Sequence, residues 1–179
     1  MGVDKANLEF CGTTLLERAL TTVAAACDEV AIVGDPAKFS DYGTVLPDKY
    51  PGCGPLAGIH AALLNSSAEL NLMLAVDMPL VSQELLSFLL GTASETEAMV
   101  VVPRTRLGFQ PLCAVYRRPF AAKAEKALRA GQYKIDAIFP EVRVHAIDEE
   151  ELARAGFPEQ MFVNVNTPED LRMVRSAKT

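Results

Sequence analysis

The chain has 179 residues, half of them apolar, enough for one domain with a substantial core and short for two. A formal net charge of −6 and a pI near 5.0 exclude a general nucleic-acid binder, because phosphate backbones are held on basic faces. No apolar run approaches the roughly 20 residues that span a bilayer, and MGVDKANLEF lacks the basic-then-apolar plan of a signal peptide, so the expected location is cytoplasmic.

The first clear element is TTLLERALTTVAAAC, where Thr14 and Glu17 have capping-box spacing and Leu15, Leu16, Ala19, Leu20 and Val23 share one helical face. EVAIVGD and GTVLPD follow as short β-branched runs ending on polar turns, and both predict strands. GPLAGIHAALLNS reads as a glycine-bearing loop opening a helix. LNLMLAVD then predicts a fully buried strand, followed by the helix SQELLSFLLG with Ser82 as N-cap and Gly91 as terminator. Strands AMVVVP and PLCAVY come next, then the helix PFAAKAEKALRAG, the strand VRVHAI and a short helix near EEELARAG. The chain closes on a strand MFVNVN and a helix TPEDLRMVRSAK, with Thr167 as N-cap and Pro168 at the first helical position. Cys11, Cys27, Cys53 and Cys113 have no CxxC spacing and read as ordinary reduced thiols.

Apolar strands alternating with helices predict an α/β fold, doubly wound around a mostly parallel sheet. In such sheets the ligand crevice lies outside the carboxyl ends of the strands. Gly34-Asp35, Asp48, Asp77 and the Asn164 to Asn166 segment all stand at predicted strand ends. Asp77 ends an apolar strand, and Pro79 prevents the ladder from continuing. A carboxylate there suits Mg²⁺, which takes one or two carboxylates plus phosphates and waters; an acid accepting bonds from its own turn is the competing reading. Gly52, Gly54 and Gly58 surround a helix start, where backbone N–H groups can meet an anion, although Gly-Pro before a helix is often only a turn. The stretch matches neither the P-loop nor the dinucleotide GxGxxG. Asn164 and Asn166 share one side of an extended segment, able to read a base or pterin edge or simply to bond the local backbone. Lys5, the arginines of PRTRLG and YRRP, and Lys134 are available to neutralise phosphate or are ordinary surface charges, and His60 and His145 receive no catalytic role.

MGVDKANLEFCGTTLLERAL, VLPDKYPGCGPLAGIHAAL, LAVDMPLV, QPLCAVYRR and NVNTPEDL, in this order, resemble the molybdenum cofactor guanylyltransferases (MobA) of the nucleotide-diphospho-sugar transferase-like fold. The resemblance spans essentially the whole chain and implies a three-layer, Rossmann-like nucleotidyltransferase. The implied reaction is transfer of GMP from GTP to the phosphate of molybdopterin, with Mg²⁺ as cofactor and pyrophosphate as product. GPLAG with Asp-x-Pro also marks cytidylyltransferases, so the alternatives are a CTP-dependent enzyme of the same fold or, from another class, a non-catalytic partner-binding module.

By this resemblance Lys5 contacts the triphosphate and serves catalysis together with Asp77, the metal ligand. Asp48 and the loop Gly54, Pro55, Leu56, Ala57 and Gly58 line the nucleotide side, and Asn164 and Asn166 the molybdopterin side. Where the family carries Asn after the second strand, this chain has Gly34-Asp35. GTP and molybdopterin are the implied partners, with cofactor-biosynthesis or molybdoenzyme-maturation proteins beside them, and neither nucleic acid nor membrane. The family begins with a strand and a loop of the form LAGGxSxRMG, of which Met1-Gly2 are the last two letters. Residues 1–179 are thus expected to be one nucleotidyltransferase domain lacking its first strand and glycine-rich loop. An upstream in-frame segment and an intact mass above 19.3 kDa are expected.

Overall fold

The structure, a computed structural model, describes residues 5–167 and 170–172. After a 3-10 turn at Lys5–Asn7, β1 (Glu9–Phe10) and β2 (Thr13–Thr14) pair antiparallel across Cys11-Gly12. Both loop residues have positive φ, 53° and 87°, as a type I′ hairpin turn requires. Strands of two residues leave no periodicity to read, so this hairpin is absent from the sequence expectations. α1 (Leu15–Ala24) starts on the predicted capping box: the Glu17 N–H donates to the Thr14 hydroxyl at 3.1 Å, and the Glu17 carboxylate accepts the Thr14 N–H at 2.8 Å.

β3 (Ile32–Val33) and β4 (Val45–Leu46) pair in parallel and are shorter than the runs that predicted them. Between them Asp35 caps a single turn, α2 (Pro36–Phe39), by accepting the Ala37 N–H at 2.9 Å. The remaining elements are α3 (Pro55–Asn65), β5 (Leu70–Leu74), α4 (Gln83–Ser94), β6 (Val100–Thr105), β7 (Gly108–Phe109), β8 (Cys113–Arg117), α5 (Phe120–Arg129), β9 (Val144–Ile147) and α6 (Glu149–Arg154). β5, β6 and β9 point the same way, and β8 lies antiparallel between β5 and β6. The fold is the expected α/β type, with β8 and the β6–β7 hairpin as its antiparallel members.

Period-two alternation sends neighbouring side chains of one strand to opposite faces, which makes the three layers. Val100, Val102, Ala114 and Tyr116 pack with Leu56, Ile59 and Leu63 of α3 and with Phe120, Ala124 and Leu128 of α5. Val101, Cys113 and Val115 face the other way, against Leu85, Leu86 and Leu89 of α4 and Leu152 of α6. Each buried aliphatic side chain contributes about 1.5–3 kcal/mol, so these two clusters supply most of the drive to fold.

Several expectations change. β5 stops at Leu74, so Asp77 lies in a turn three residues beyond it; the Ala75 N–H still reaches the Leu112 carbonyl at 2.7 Å. All five β5 residues are half-buried rather than fully buried, because among the described residues only β8 pairs with this strand. α4 passes through Gly91 to Ser94, its cost there being only the weaker propensity of glycine. MFVNVN is no strand among the described residues: Glu159–Phe162 is a 3-10 turn, Val163 is extended, and residues 164–166 join no ladder there. The closing helix is described at 170–172; Pro168 and residues 173–179 lie outside the described residues, as does the MGVD start.

Candidate active site

Beside the two main cores sits a third, small cluster of Phe10, Leu15, Val165 and Leu171, with Leu8, Val76 and Leu80 packed on it. It ties three distant segments together: the N-terminal hairpin, the turn after β5 and the C-terminal extended stretch. Each segment raises one polar side chain above this cluster. Lys5 Nζ donates to the Asn166 side-chain oxygen and lies 3.6 Å from the Asp77 carboxylate. Three of the sequence-selected residues, Lys5, Asp77 and Asn166, therefore form one group beyond the carboxyl end of β5. The Asp77 side chain is 21% exposed and Lys5 45%, so the group is open to solvent and to ligand.

The supports are local and specific. The Asp77 carbonyl accepts the Val165 N–H at 2.7 Å, joining the two segments through their backbones. The Arg18 guanidinium of α1 donates to the Pro79 carbonyl and covers the Phe10 ring, 5.3 Å from its centroid, which fixes the Asp-Met-Pro turn from the side. Asp170 accepts the N–H groups of Asn166 and Thr167, each at 2.9 Å, while its own N–H donates to the Thr167 hydroxyl at 3.1 Å. The Asn166 N–H, then the Thr167 hydroxyl, hold the Asp170 carboxyl below its usual range, with the Lys5 charge adding to them against the effect of burial. This closing cap leaves the Asn166 amide pointing at Lys5 rather than bonding its own turn.

The other selected residues stand apart from this group. Asp48 makes an Asx turn, accepting the Tyr50 N–H at 2.8 Å, and among the described residues no hydrogen bond or ion pair joins it to Lys5 or Asp77. Gly54 precedes α3 with φ of +74°, a backbone that side-chain-bearing residues rarely adopt. Pro55 takes the first helical position, and Leu56 and Ala57 turn into the core, so the GPLAG residues face a ligand through backbone and not through these side chains. Gly58 packs on β3, its added Cβ 3.7 Å from Val33. Asn164 is exposed and joins none of the contacts around Lys5. A cavity of about 570 Å³ between α3 and α5, near Leu63, Leu64, Arg118 and Ala121, lies at the opposite end of the sheet.

Arg18 and Asp170 are the residues the sequence did not single out. Asp170 carried a signal, since Thr-x-x-Asp has capping-box spacing; Arg18 carried none, because a cation on the polar side of an amphipathic helix looks like solvated surface.

A cation, a hard-oxygen carboxylate and an amide on one open rim, with a helix N-terminus in the same fold, suit a charged phosphate substrate. Comparison with known proteins agrees. The MobA-like NTP transferase domain matches residues 1–146. The molybdenum cofactor guanylyltransferase of Desulfosudis oleivorans is 35% identical over 179 residues, 98% of this chain and 88% of the relative. A probable molybdenum cofactor guanylyltransferase of Pelotomaculum thermopropionicum is 36% identical over 180 residues, covering 98% and 85%. The crystal structure of molybdopterin-guanine dinucleotide biosynthesis protein A from Archaeoglobus fulgidus superposes with a TM-score of 0.85 at 26% identity, over 99% of this chain and 93% of that one. The 2-C-methyl-D-erythritol 4-phosphate cytidylyltransferase of Thermus thermophilus shares the fold, with a TM-score of 0.71 at 19% identity, covering 98% and 94%. This chain belongs to the MobA-like NTP transferase family.

Proposed function

We propose that the protein is a molybdenum cofactor guanylyltransferase, joining the GMP moiety of GTP to the terminal phosphate of molybdopterin. A molybdopterin phosphate oxygen attacks the α-phosphorus of GTP, the bond from that phosphorus to the β-phosphate bridging oxygen breaks, and pyrophosphate leaves. The guanylyltransferase names of full-length relatives support this reading, and the observation that carries it is the Lys5, Asp77 and Asn166 group.

Transfer of this kind asks little covalent chemistry of the protein, only in-line placement and neutralised charge. Lys5 meets the triphosphate as a point charge on a flexible stem. Asp77 would hold a divalent cation through its single carboxylate, since Mg²⁺ is commonly bound by one or two carboxylates together with substrate phosphates and waters. Bound there, Mg²⁺ supplies charge neutralisation and a template for the phosphates. Asp48 and the backbone of Gly54 to Gly58 border the nucleotide, and Asn164 and Asn166 the molybdopterin. Residues 1–179 work as one nucleotidyltransferase domain. No described helix is long and apolar enough to cross a membrane, in keeping with a cytoplasmic biosynthetic role.

The test is Asp77→Asn, assayed by pyrophosphate release from GTP with molybdopterin as acceptor. The amide keeps the shape and loses the charge, so kcat/KM should fall by at least about 10²–10³. Folding stability should change by less than about 1 kcal/mol, because the partner, Lys5, is half-exposed and the Val165 bond uses the Asp77 backbone. Turnover within a few-fold of the parent protein would remove Asp77 from the reaction, and CTP used in preference to GTP would reassign the enzyme.

A further inference from the structure

The stretch PDKYPGCG, residues 47–54, connects β4 to α3 without a helix or strand of its own, and both its glycines have positive φ, 80° for Gly52 and 74° for Gly54. Such a segment loses much conformational freedom on ordering and needs anchors outside itself. Its internal bonds are few: the Asx turn at Asp48 and a Cys53 N–H donated to the Tyr50 carbonyl at 3.1 Å. The external anchor is α5. Glu125 Oε1 accepts the Tyr50 hydroxyl at 3.2 Å, the Arg129 guanidinium at 2.8 Å and the Lys49 amine at 3.4 Å. Arg129 Nε also donates to the Tyr50 oxygen at 3.4 Å, so the phenol sits in a closed ring of bonds.

We propose that Glu125 is a positioning residue for the nucleotide: by gathering Lys49, Tyr50 and Arg129 it holds residues 48–54 in place, and with them Asp48 and the glycine that starts α3. The proposal rests on the reading that this segment borders the nucleotide. The geometry favours positioning over a direct contact, since the single oxygen Oε1 already receives three donors and the residue lies on the middle of α5. Burial pushes the Glu125 carboxyl up, but the bonds from Lys49, Arg129 and Tyr50 together hold it below its usual range, which keeps it a charged acceptor at neutral pH.

Three variants, Glu125→Ala, Glu125→Gln and Tyr50→Phe, test this in two readouts. Steady-state kinetics should show the KM for GTP raised about five- to tenfold in Glu125→Ala, with kcat and the acceptor KM within about twofold. Glu125→Gln, which keeps an acceptor oxygen, should recover most of the loss, and Tyr50→Phe, which removes one hydroxyl, should reproduce part of it. Hydrogen exchange on the ligand-free protein should show the Tyr50 and Cys53 amides exchanging about tenfold faster in Glu125→Ala while amides of β6 and β8 keep their protection. Faster exchange with an unchanged KM for GTP overturns the proposal, as does unchanged exchange. A fall of kcat together with global loss of protection shows a merely structural role and also overturns it. Should the parent protein neither bind nor turn over GTP, the proposed function fails instead, and the exchange experiment still reads the anchor.

Discussion

Replacing His60 by Leu removes two ring nitrogens that are buried within α3 with no hydrogen-bond partner among the described residues. An unsatisfied buried polar group costs about 1–3 kcal/mol, and the leucine has similar bulk and no polar atom to desolvate. Against this gain stands the edge-on contact between the His60 and Tyr50 rings, 5.3 Å between centroids, a pairing worth about 0.5–1.5 kcal/mol. The net expectation is a variant more stable by about 1 kcal/mol at pH 7.5, or about 2–4 °C in Tm for a domain of this size. Acidification should widen the difference. Burial holds the His60 imidazole below its ordinary range; the Glu125 and Asp48 charges oppose that shift and those of Lys49 and Arg129 reinforce it. As pH falls below about 6.5 the unfolded chain takes up a proton that the folded ring still refuses, so folding loses stability, by at most about 1.4 kcal/mol per pH unit for one proton. His60→Leu lacks this loss. Urea unfolding of both proteins at pH 7.5 and pH 5.5 measures it, with histidine NMR titration as the direct check on the ring. A variant less stable than the parent by more than about 1 kcal/mol at pH 7.5, or an advantage that shrinks on acidification, would refute the reasoning.

Asn166→Ala should raise the KM for the molybdopterin acceptor about tenfold, whereas Asn164→Ala should change it less than threefold, because of the two asparagines only Asn166 belongs to the group with Lys5 and Asp77; equal effects in steady-state kinetics would erase the distinction. Arg117→Ala should destabilise by about 2–4 kcal/mol in urea unfolding. Its guanidinium, 16% exposed, donates to the carbonyls of Ala98 and Ala93, each at 3.0 Å, and of Thr96 at 2.7 Å, and pairs with Glu69, so truncation strands several acceptors at the end of α4. The buried Cys113 thiol, pushed up to about 12 by burial, should resist alkylation at pH 8 in the folded protein while exposed Cys11 reacts, as mass spectrometry of the modified peptides would show.

The features legible from sequence are those whose cause is local. Thr14 and Glu17 complete their cap within one turn of helix, and Ser82 caps α4 by accepting the Leu85 N–H. Continuous apolar runs located β6 and β8, because both faces of those strands are covered. The errors have distant causes. Residues 163–166 look like a strand by composition, yet their backbone is held by a bond from Val165 to Asp77 and by the Asp170 cap, not by a neighbouring ladder. β5 reads as fully buried, since pattern shows which residues favour burial but not how many strands arrive to cover them. Tyr50 and Glu125 are 75 residues apart, and nothing in the spacing of either announces the other.

The same contrast explains how Lys5, Asp77 and Asn166 can serve a phosphate substrate. Asp77 and Lys5 satisfy each other in the absence of ligand, and because Lys5 is half-exposed their pair is worth only about 0–1 kcal/mol. A pair that weak is readily exchanged. In the proposed reaction Lys5 would turn from Asp77 to the triphosphate oxygens, and the Asp77 carboxylate would be the group to hold a divalent cation, which would supply neutralising charge for those phosphates. The parts that must not move are held differently: the Asp77 carbonyl by Val165, the turn after it by Arg18, and the Asn166 backbone by Asp170. Exchangeable side chains on a fixed backbone allow the rim to shed one set of charge partners for another without rebuilding the fold beneath it, which is the requirement that a charged, departing pyrophosphate places on its enzyme.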